Sequence, residues 1–324
     1  MNPYIGSENQ LYGVEEMRLT GGKGDGMRLL EVRNGAGLSF TVSLSRGADL
    51  SRLSFHGVNF GFFTECGYVS PSFFEKKGLG FLKSFTAGFL TTCGLCSVGD
   101  PCVDDGEEVG LHGTVSHIPA QNAWYDVTEK EIRIRCQVRD CQALGRTMIL
   151  HREYIVPVGE KTLTIHDRVE NAGIQDSPYQ ILYHFNMGYP LLHEDACLSI
   201  PSLKVEPRNA HAAQGLAHWK EIEKPQRGYE EMCFYHTMEK DAQVSLFNPR
   251  IGLGLEMRYD GEKLPCFTQW KQMGERDYVL GLEPGNAYPD GRDVMRKTGR
   301  LTTLGPGETS EHEITFRFLT EKDV

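Results

Sequence analysis

The chain has 324 residues, of which 34 are Lys or Arg and 44 are Asp or Glu, so its formal net charge at pH 7 is −10. A surface that binds nucleic acid or an anionic membrane needs clustered cations, and this acidic balance argues against both partners. The length suffices for one large β domain or for two domains of ordinary size.

The N-terminal residues 1–8 lack the basic stretch and apolar run of a signal peptide, and no window of the sequence approaches membrane-spanning length. The nine cysteines are an odd number with mostly apolar neighbours, which fits reduced thiols better than a disulfide framework. We therefore expect a cytoplasmic protein. Cys93 and Cys96 form a CxxC motif that could be a redox pair or half a zinc site, but no second CxxC occurs, and a structural role is favoured.

Apolar and polar residues alternate with a period of two, most clearly in residues 131–139, 162–170 and 311–319. Asn-Gly, Asp-Gly and Pro-Gly pairs provide the turns that join antiparallel strands, and long helical periodicity is nearly absent. The predicted fold is all-β, a large antiparallel β-sandwich, with residues 1–324 forming a single domain.

Two regions of the sequence allow predictions about individual strands, loops and helices. Residues 124–190 alternate through several short turns, which predicts a meander within one continuous sheet, whereas residues 208–228 predict a loop or short helix. Asp167 shares a strand face with apolar residues, so it is either a buried structural acceptor or part of a site, and we favour the structural interpretation.

Two histidines follow one another in residues 110–120. His112 lies beside Gly113, where the backbone can approach a ligand closely, although a lone histidine is more often structural. His117 is five residues further on, and on an extended strand it would point to the opposite face. We therefore expect His117 to pack or cap, and His112 to be the candidate for ligand contact.

A second candidate group lies at two later strand ends. His184 and Asn186 share one face of a predicted strand, where they could line a cleft or belong to a satisfied core network. Glu283 ends an apolar run directly before a turn, and partial desolvation there would raise its pKa toward the range useful for a general base. Two histidines and a glutamate make a workable acid/base set.

Other catalytic signatures are missing from the sequence. It contains no HxH or HExxH spacing for a metal, no GxSxG for a serine hydrolase, and no usual phosphate-loop or dinucleotide fingerprint. A metal held by residues distant in sequence stays possible, but no local cluster supports it.

Several motifs occur in an order that resembles the aldose 1-epimerase (galactose mutarotase-like) superfamily, and in particular a bacterial branch of aldose 1-epimerase family proteins. The resemblance extends from about residue 46 to residue 308. The motifs are FTAGFLTTCGL (residues 85–95), GLHG (110–113), YHFNMGYP (183–190), LPCFTQWK (264–271) and LEPGNAYPDGR (282–292).

The resemblance implies a very large antiparallel β-sandwich and a cofactor-independent isomerase that interconverts the α and β anomers of an aldose. It implies that His184 is the general acid toward the ring oxygen and Glu283 the general base toward the anomeric hydroxyl. His112 corresponds to the family's second histidine, which binds the sugar and stabilises developing charge.

Further sugar contacts are implied with less direct correspondence. Glu231 takes the place of a family acid that is usually aspartate. Arg46, with Arg52 as its competitor, corresponds to a family arginine. Trp270 and Lys271 could supply a stacking face and a cation, and Arg292 could close the pocket; core packing or simple exposure are the alternatives for these three residues.

Three functional hypotheses follow from the sequence. The leading hypothesis is carbohydrate binding with aldose 1-epimerase (mutarotase) activity on a small-molecule sugar and no cofactor. The second is a non-catalytic sugar-binding or regulatory protein, because binding needs only part of the same set of residues. The third is another sugar isomerase or a lyase on the same fold.

Overall fold

The computed structural model describes residues 3–323, so Met1 and Asn2 of the N-terminal stretch lie outside the described residues. The described chain forms strands, two short α-helices and several 3-10 turns. The strands are β1 (Gly13–Arg18), β2 (Arg28–Arg33), β3 (Leu38–Ser43), β4 (Asp49–Phe55), β5 (Val58–Asn59), β6 (Phe62–Phe63), β7 (Ala87–Gly88), β8 (Leu90–Leu95), β9 (Cys102–Asp104), β10 (Glu107–Val109), β11 (Ala120–Val127), β12 (Glu131–Cys141), β13 (Thr147–Pro157), β14 (Thr162–Asn171), β15 (Ser177–Gly188), β16 (Cys197–Ser199), β17 (Lys204–Pro207), β18 (Met232–Thr237), β19 (Asp241–Asn248), β20 (Leu253–Asp260), β21 (Cys266–Met273), β22 (Tyr278–Gly285), β23 (Thr302–Leu304) and β24 (Thr309–Thr320). The helices are α1 (Ala210–Gln214) and α2 (Arg292–Lys297).

Two large antiparallel sheets dominate the structure. The first has the strand order β11-β12-β13-β14-β24-β20-β19-β16, and the second has the order β17-β18-β21-β22-β15-β23, with β8 also pairing with β15. A five-stranded sheet of β1 to β5 precedes them. The prediction of an all-β, antiparallel architecture is confirmed.

The main apolar core contains side chains from both large sheets. In β12 and β14 buried residues alternate with partly exposed ones, as the period-two pattern predicted. Strands β15 and β22 are buried along almost their whole length because their second face is covered by loops. The polar side chains of these strands, such as His184 and Glu283, are therefore buried as well.

One prediction of strand order is wrong. Strands β11 to β14 form the expected meander in one sheet, but β15 pairs with β22 and β8 in the other sheet. Alternation cannot reveal this crossing, because it shows which residues share a face of a strand but not which strands pair with it. The prediction of a loop or short helix in residues 208–228 is confirmed, because this segment contains the short helix α1.

A charged cluster centred on Arg152 lies within the core. The fully buried guanidinium pairs with Asp167 at 2.6 Å and with Asp49 at 2.7 Å, and it donates a hydrogen bond to Thr92 Oγ1. The Tyr183 hydroxyl donates to Asp167 at 2.9 Å. The structural interpretation of Asp167 is confirmed by these contacts.

All nine cysteines are free thiols, and Cys93 is buried in an apolar cluster. Burial raises the pKa of the Cys96 thiol to about 11, so this thiol is protonated at neutral pH. Within residues 3–323, no helix is both long and apolar enough to cross a membrane.

Candidate active site

A cavity of about 260 Å³ lies over the face of the second sheet that points away from the main core. Strands β15, β18, β21 and β22 provide its floor, and loops around residues 79–85, 99–100 and 111–112 provide its walls. Its lining residues are Leu79, Phe81, Leu82, Phe85, Gly99, Asp100, Leu111, His112, His184, Arg208, Glu231, Cys233, Thr268, Trp270, Glu283 and Pro289. The volume lies just below the usual range of about 300–1,000 Å³ for ligand pockets, which suits a small ligand.

His184 and Glu283 meet on the floor of this cavity. Strands β15 and β22 are paired so that Phe185 lies opposite Leu282, which brings the two neighbouring polar side chains together. His184 Nε2 lies 3.3 Å from Glu283 Oε1, and the two side chains are only 7% and 2% exposed. The contact lacks hydrogen-bond geometry, and Glu283 Oε1 and His184 Nδ1 have no hydrogen-bond partner. Both residues line the cavity, so a ligand bound there would lie against them.

Burial controls the protonation of this pair. Burial, reinforced by the neighbouring Glu231, raises the pKa of Glu283 well above its ordinary value. Burial, reinforced by His112, lowers the pKa of His184 to about 3. Burial thus favours the uncharged form of each group, a protonated carboxyl beside a neutral imidazole, and in that form the pair holds one proton that either group can carry.

Gly281 makes room for the Glu283 carboxyl group. The two residues are two apart on β22, so their side-chain positions share one face of the strand. A Cβ atom on Gly281 would lie 2.2 Å from Glu283 Oε1 and 2.9 Å from Trp270 Cβ. The carboxyl group thus lies over the bare backbone of Gly281, and any side chain at this position would displace it.

His112 reaches the same cavity from a turn. Its φ angle is 58°, so the extended strand assumed for residues 110–120 is wrong at this residue. The Gly99 N–H donates to His112 Nδ1 at 3.3 Å, which places the ring proton of a neutral imidazole on Nε2. Burial, with a smaller effect of Arg208, lowers the pKa of His112 to about 4. Its ring centre lies 5.6 Å from that of His184.

Trp270 and Glu231 form one side of the cavity. The Trp270 Nε1–H donates to Glu231 Oε2 at 2.7 Å, which fixes the indole ring and leaves a carboxylate at the mouth. The indole meets the His184 ring edge to face with centres 5.2 Å apart. Of the residues predicted from the sequence, the structure thus brings together five: His112, His184, Glu231, Trp270 and Glu283.

The other four predicted residues do not line this cavity. Arg46 is buried elsewhere and donates to the Val69 and Ser84 carbonyls and to His117 Nε2. Its competitor Arg52 lies over the Phe63 ring.

Asn186 lies on the same strand as His184 but donates to the His184 carbonyl at 2.8 Å and is fully buried. Lys271 follows Trp270 on β21, so it points to the opposite face, where it pairs with Glu223 at 2.9 Å. Arg292 is buried between Asp104 and Glu107, each 2.7 Å away. Each of these side chains therefore has a structural partner outside the cavity.

His117 stacks on Phe74 with ring centres 3.8 Å apart and hydrogen-bonds Ser84, so the prediction that it packs is confirmed.

Arg208 and Asp100 line the cavity but were not predicted from the sequence. Arg208 Nη2 lies 2.5 Å from Asp100 Oδ2 and 3.0 Å from the Pro289 carbonyl oxygen. Arg208 Nε also lies 3.4 Å from Asp290 Oδ1. The contact between Arg208 and Asp100 joins residues more than 100 positions apart in the chain. The sequence around Arg208 indicates only a polar loop, so it gave no sign of this contact.

Metal-ligating residues do not converge at this site. Across the part of the chain that the structure describes, no three His, Cys, Asp or Glu side chains are arranged to hold a metal ion.

The sequence matches a family model described as a domain of unknown function, DUF4432, over residues 24–318. No curated protein matches the chain.

Three solved structures show the similarity of the fold. One is described as a candidate aldose 1-epimerase from Klebsiella pneumoniae subsp. pneumoniae; it is 28% identical, the match covers 98% of this chain and 87% of that chain, and the TM-score is 0.90. A galactose mutarotase-like protein from Clostridium acetobutylicum is 12% identical over 96% and 100% of the two chains, with a TM-score of 0.69. The galactose 1-epimerase from Lactobacillus acidophilus is 15% identical over 95% and 99%, with a TM-score of 0.64.

The fold is therefore that of the galactose mutarotase-like proteins, as the ordered motifs predicted. The family model spans most of the chain. The chain belongs to the DUF4432 family.

Proposed function

We propose that the protein is a cofactor-independent isomerase that interconverts the α and β anomers of a monosaccharide. The observation that carries this proposal is the buried pair of His184 and Glu283, 3.3 Å apart on the floor of a small cavity. Opening a sugar ring requires a proton to leave the anomeric hydroxyl and a proton to reach the ring oxygen. A pair that holds one proton can perform both transfers.

Glu283 as carboxylate takes the proton of the anomeric hydroxyl while His184 as imidazolium gives its proton to the ring oxygen. The bond between the anomeric carbon and the ring oxygen breaks, and a carbonyl group forms at that carbon. After rotation about the bond to the adjacent carbon, His184 takes the proton back from the hydroxyl and Glu283 returns its proton to the carbonyl oxygen, which closes the ring as the other anomer.

The protonation state of the His184–Glu283 site bears on these roles. The neutral arrangement is favoured there, and passing the proton from Glu283 to His184 gives the charged arrangement without changing the total number of protons. A bound sugar that hydrogen-bonds both groups would lower the cost of that transfer, because hydrogen bonds to the charged forms stabilise them.

His112, Trp270 and Glu231 are suited to holding the sugar. The Nε2–H of His112 can donate to a sugar oxygen and stabilise negative charge as it develops. Trp270 offers an aromatic surface for the C–H face of a sugar ring, and Glu231 can accept from sugar hydroxyls.

The free cysteines support a reducing compartment, and we expect the protein to act in the cytoplasm.

Exchange NMR on a panel of free aldoses tests the proposal. We expect the protein to accelerate anomer exchange above the spontaneous rate for at least one sugar. Glu283→Gln should lower kcat by about 10²–10⁴-fold, because it removes a proton-transfer group while keeping the shape of the side chain. The matched control is Glu108→Gln, which alters an exposed ion pair with Lys77 and should leave the rate unchanged.

His184→Asn should lower kcat to a similar degree while leaving the folded state and sugar binding in place, which saturation-transfer NMR can check. A sugar that binds without accelerated exchange would identify a non-catalytic sugar-binding protein instead. Full turnover by the Glu283→Gln variant would remove this residue from the base role.

A further inference from the structure

One wall of the cavity is entirely apolar. Phe81, Phe85 and Leu111 belong to a small apolar cluster separate from the main core. Leu79 and Leu82 continue this surface to the mouth of the cavity, where they are 60% and 51% exposed. These five side chains have no atom that can hydrogen-bond a sugar hydroxyl. We refer to these five residues as the apolar wall.

Several backbone groups of the apolar wall are already hydrogen-bonded within the protein. The Leu82 N–H donates to the Leu79 carbonyl at 3.1 Å, and the Leu111 N–H donates to the Gly78 carbonyl at 3.0 Å. The Phe85 carbonyl accepts from the Thr64 hydroxyl. A hydroxyl directed at this wall would lose water without gaining a partner, which costs free energy. A methyl or methylene group in the same place would be stabilised by burial.

The charges at the cavity disfavour an anionic ligand. Of the described residues that line it, Arg208 alone carries a permanent positive charge, and Asp100 and Asp290 already neutralise that charge. Glu231 adds a carboxylate at the mouth, and the buried Glu283 becomes a further anion if it loses its proton. A phosphate or carboxylate on the sugar would therefore meet a neutral to negative surface.

We propose that the substrate is an uncharged deoxyaldose, a sugar in which hydrogen replaces one hydroxyl group, so that a methyl or methylene group contacts the apolar wall. This inference rests on the proposed anomer interconversion and specifies its substrate class. His112, Glu231 and Arg208 can hydrogen-bond a ligand and the apolar wall cannot, so the lining matches a ligand that has both a polar part and an apolar part.

Matched sugar pairs test this inference with the intact protein. The pairs are D-fucose with D-galactose, L-rhamnose with L-mannose, D-quinovose with D-glucose, and 2-deoxy-D-glucose with D-glucose. Glucose 6-phosphate and glucuronate serve as charged probes. The quantity measured is kcat/KM for anomer exchange above the spontaneous rate. We expect at least one deoxy sugar to exceed its hydroxylated partner roughly tenfold or more, and both charged sugars to be poor substrates.

Variants of the apolar wall locate the source of the preference. Leu79→Asn and Leu82→Gln should each reduce the preference for the deoxy sugar, because they give the hydroxyl of the partner sugar a hydrogen-bonding group. Both leucines are largely exposed, so these changes should not unfold the protein. Leu203→Asn is the matched control, since Leu203 is 62% exposed and does not line the cavity, and it should leave the preference unchanged.

The outcomes separate this inference from the proposed function. Exchange that is equally fast or faster with every hydroxylated partner would overturn the deoxyaldose assignment while leaving the isomerase function standing. Efficient exchange of either charged sugar would overturn the assignment of an uncharged substrate. Exchange of no sugar in the panel would overturn the proposed function itself.

Discussion

Two buried polar clusters lie on opposite faces of β15, and they differ in how completely their groups are paired. In the Arg152 cluster the charges of Arg152, Asp49 and Asp167 compensate one another, and Tyr183 and Thr92 supply further hydrogen bonds. In the cavity, buried atoms of His184, Glu283 and Thr268 lack hydrogen-bond partners. The comparison indicates that the first cluster serves stability and that the second leaves its polar groups for a ligand.

The largest expected effect on stability is in the Arg152 cluster. Asp167→Asn leaves the buried guanidinium with one carboxylate instead of two, and breaking a buried pair in this way typically costs about 3–5 kcal/mol of unfolding free energy. Denaturant unfolding measures the loss. Asp126→Asn is the control, because Asp126 pairs with Arg135 on the exposed surface and should cost less than about 1 kcal/mol.

Exchange kinetics complete this test. The Asp167→Asn protein that stays folded should retain its kcat, because Asp167 lies on the core side of the sheet. A large fall in kcat with unchanged stability would contradict the division of roles between the two clusters.

A smaller effect is expected from Gly281→Ala, which acts only on the cavity. The added methyl group would displace the Glu283 carboxyl group and Trp270, and a displacement of about 1 Å at a reacting group can cost about 10²-fold in rate. Exchange NMR gives kcat for this variant. The control is Gly6→Ala, where the new methyl would meet only Gln10 Oε1 at 3.8 Å. Equal rates for the two variants would show that the position of the carboxyl group is not critical.

The pH dependence of kcat/KM distinguishes the paired histidine from an ordinary one. Below a pH of about 3 to 4, which corresponds to their lowered pKa values, His184 and His112 become protonated. The His184–Glu283 pair then holds a second proton, and no base remains. Above the raised pKa of Glu283 the pair loses its proton, and no acid remains. We expect a bell-shaped profile with its acid limb well below 6.5. An acid limb at 6.5 in protein that is still folded would contradict the assigned environment.

The smallest expected effect is a gain in stability. Because the pKa of Glu283 is raised in the folded state, its contribution to stability is largest at low pH and is lost as the pH rises above the ordinary value. Glu283→Gln removes the ionisable group and with it this loss of stability. The Tm of the variant should therefore exceed that of the unaltered protein at pH 8, and the difference should shrink toward pH 4.5. The exposed Glu129→Gln is the control and should show no such trend.

Much of the fold could be predicted from the sequence, because alternation in strands such as β12 and β14 directly reflects one buried face. The crossing of β15 to the second sheet could not, since alternation shows which residues share a face but not which strands become neighbours. The ordered motifs also predicted the galactose mutarotase-like fold, because they are spread over most of the chain. The solved structures confirm this fold.

The site was less predictable than the fold. His184 and Glu283 could be found because they are polar residues within apolar strands, which is an unusual position for a charged group. The roles of Arg46, Lys271 and Arg292 depend on partners that are distant in sequence, and each proves to be paired outside the cavity. Arg208 was missed because only the folded chain brings it to Asp100.

The position of β15 between the core and the cavity also constrains its alignment with its neighbours. Tyr183 points to the Arg152 cluster and His184 points to the cavity, although they are adjacent in sequence. Inserting or deleting one residue before this point would exchange the two faces, burying the imidazole beside Asp167 and moving the phenol into the cavity. A single-residue insertion or deletion before Tyr183 should therefore damage the core and the cavity together, whereas a substitution on this strand changes one face at a time.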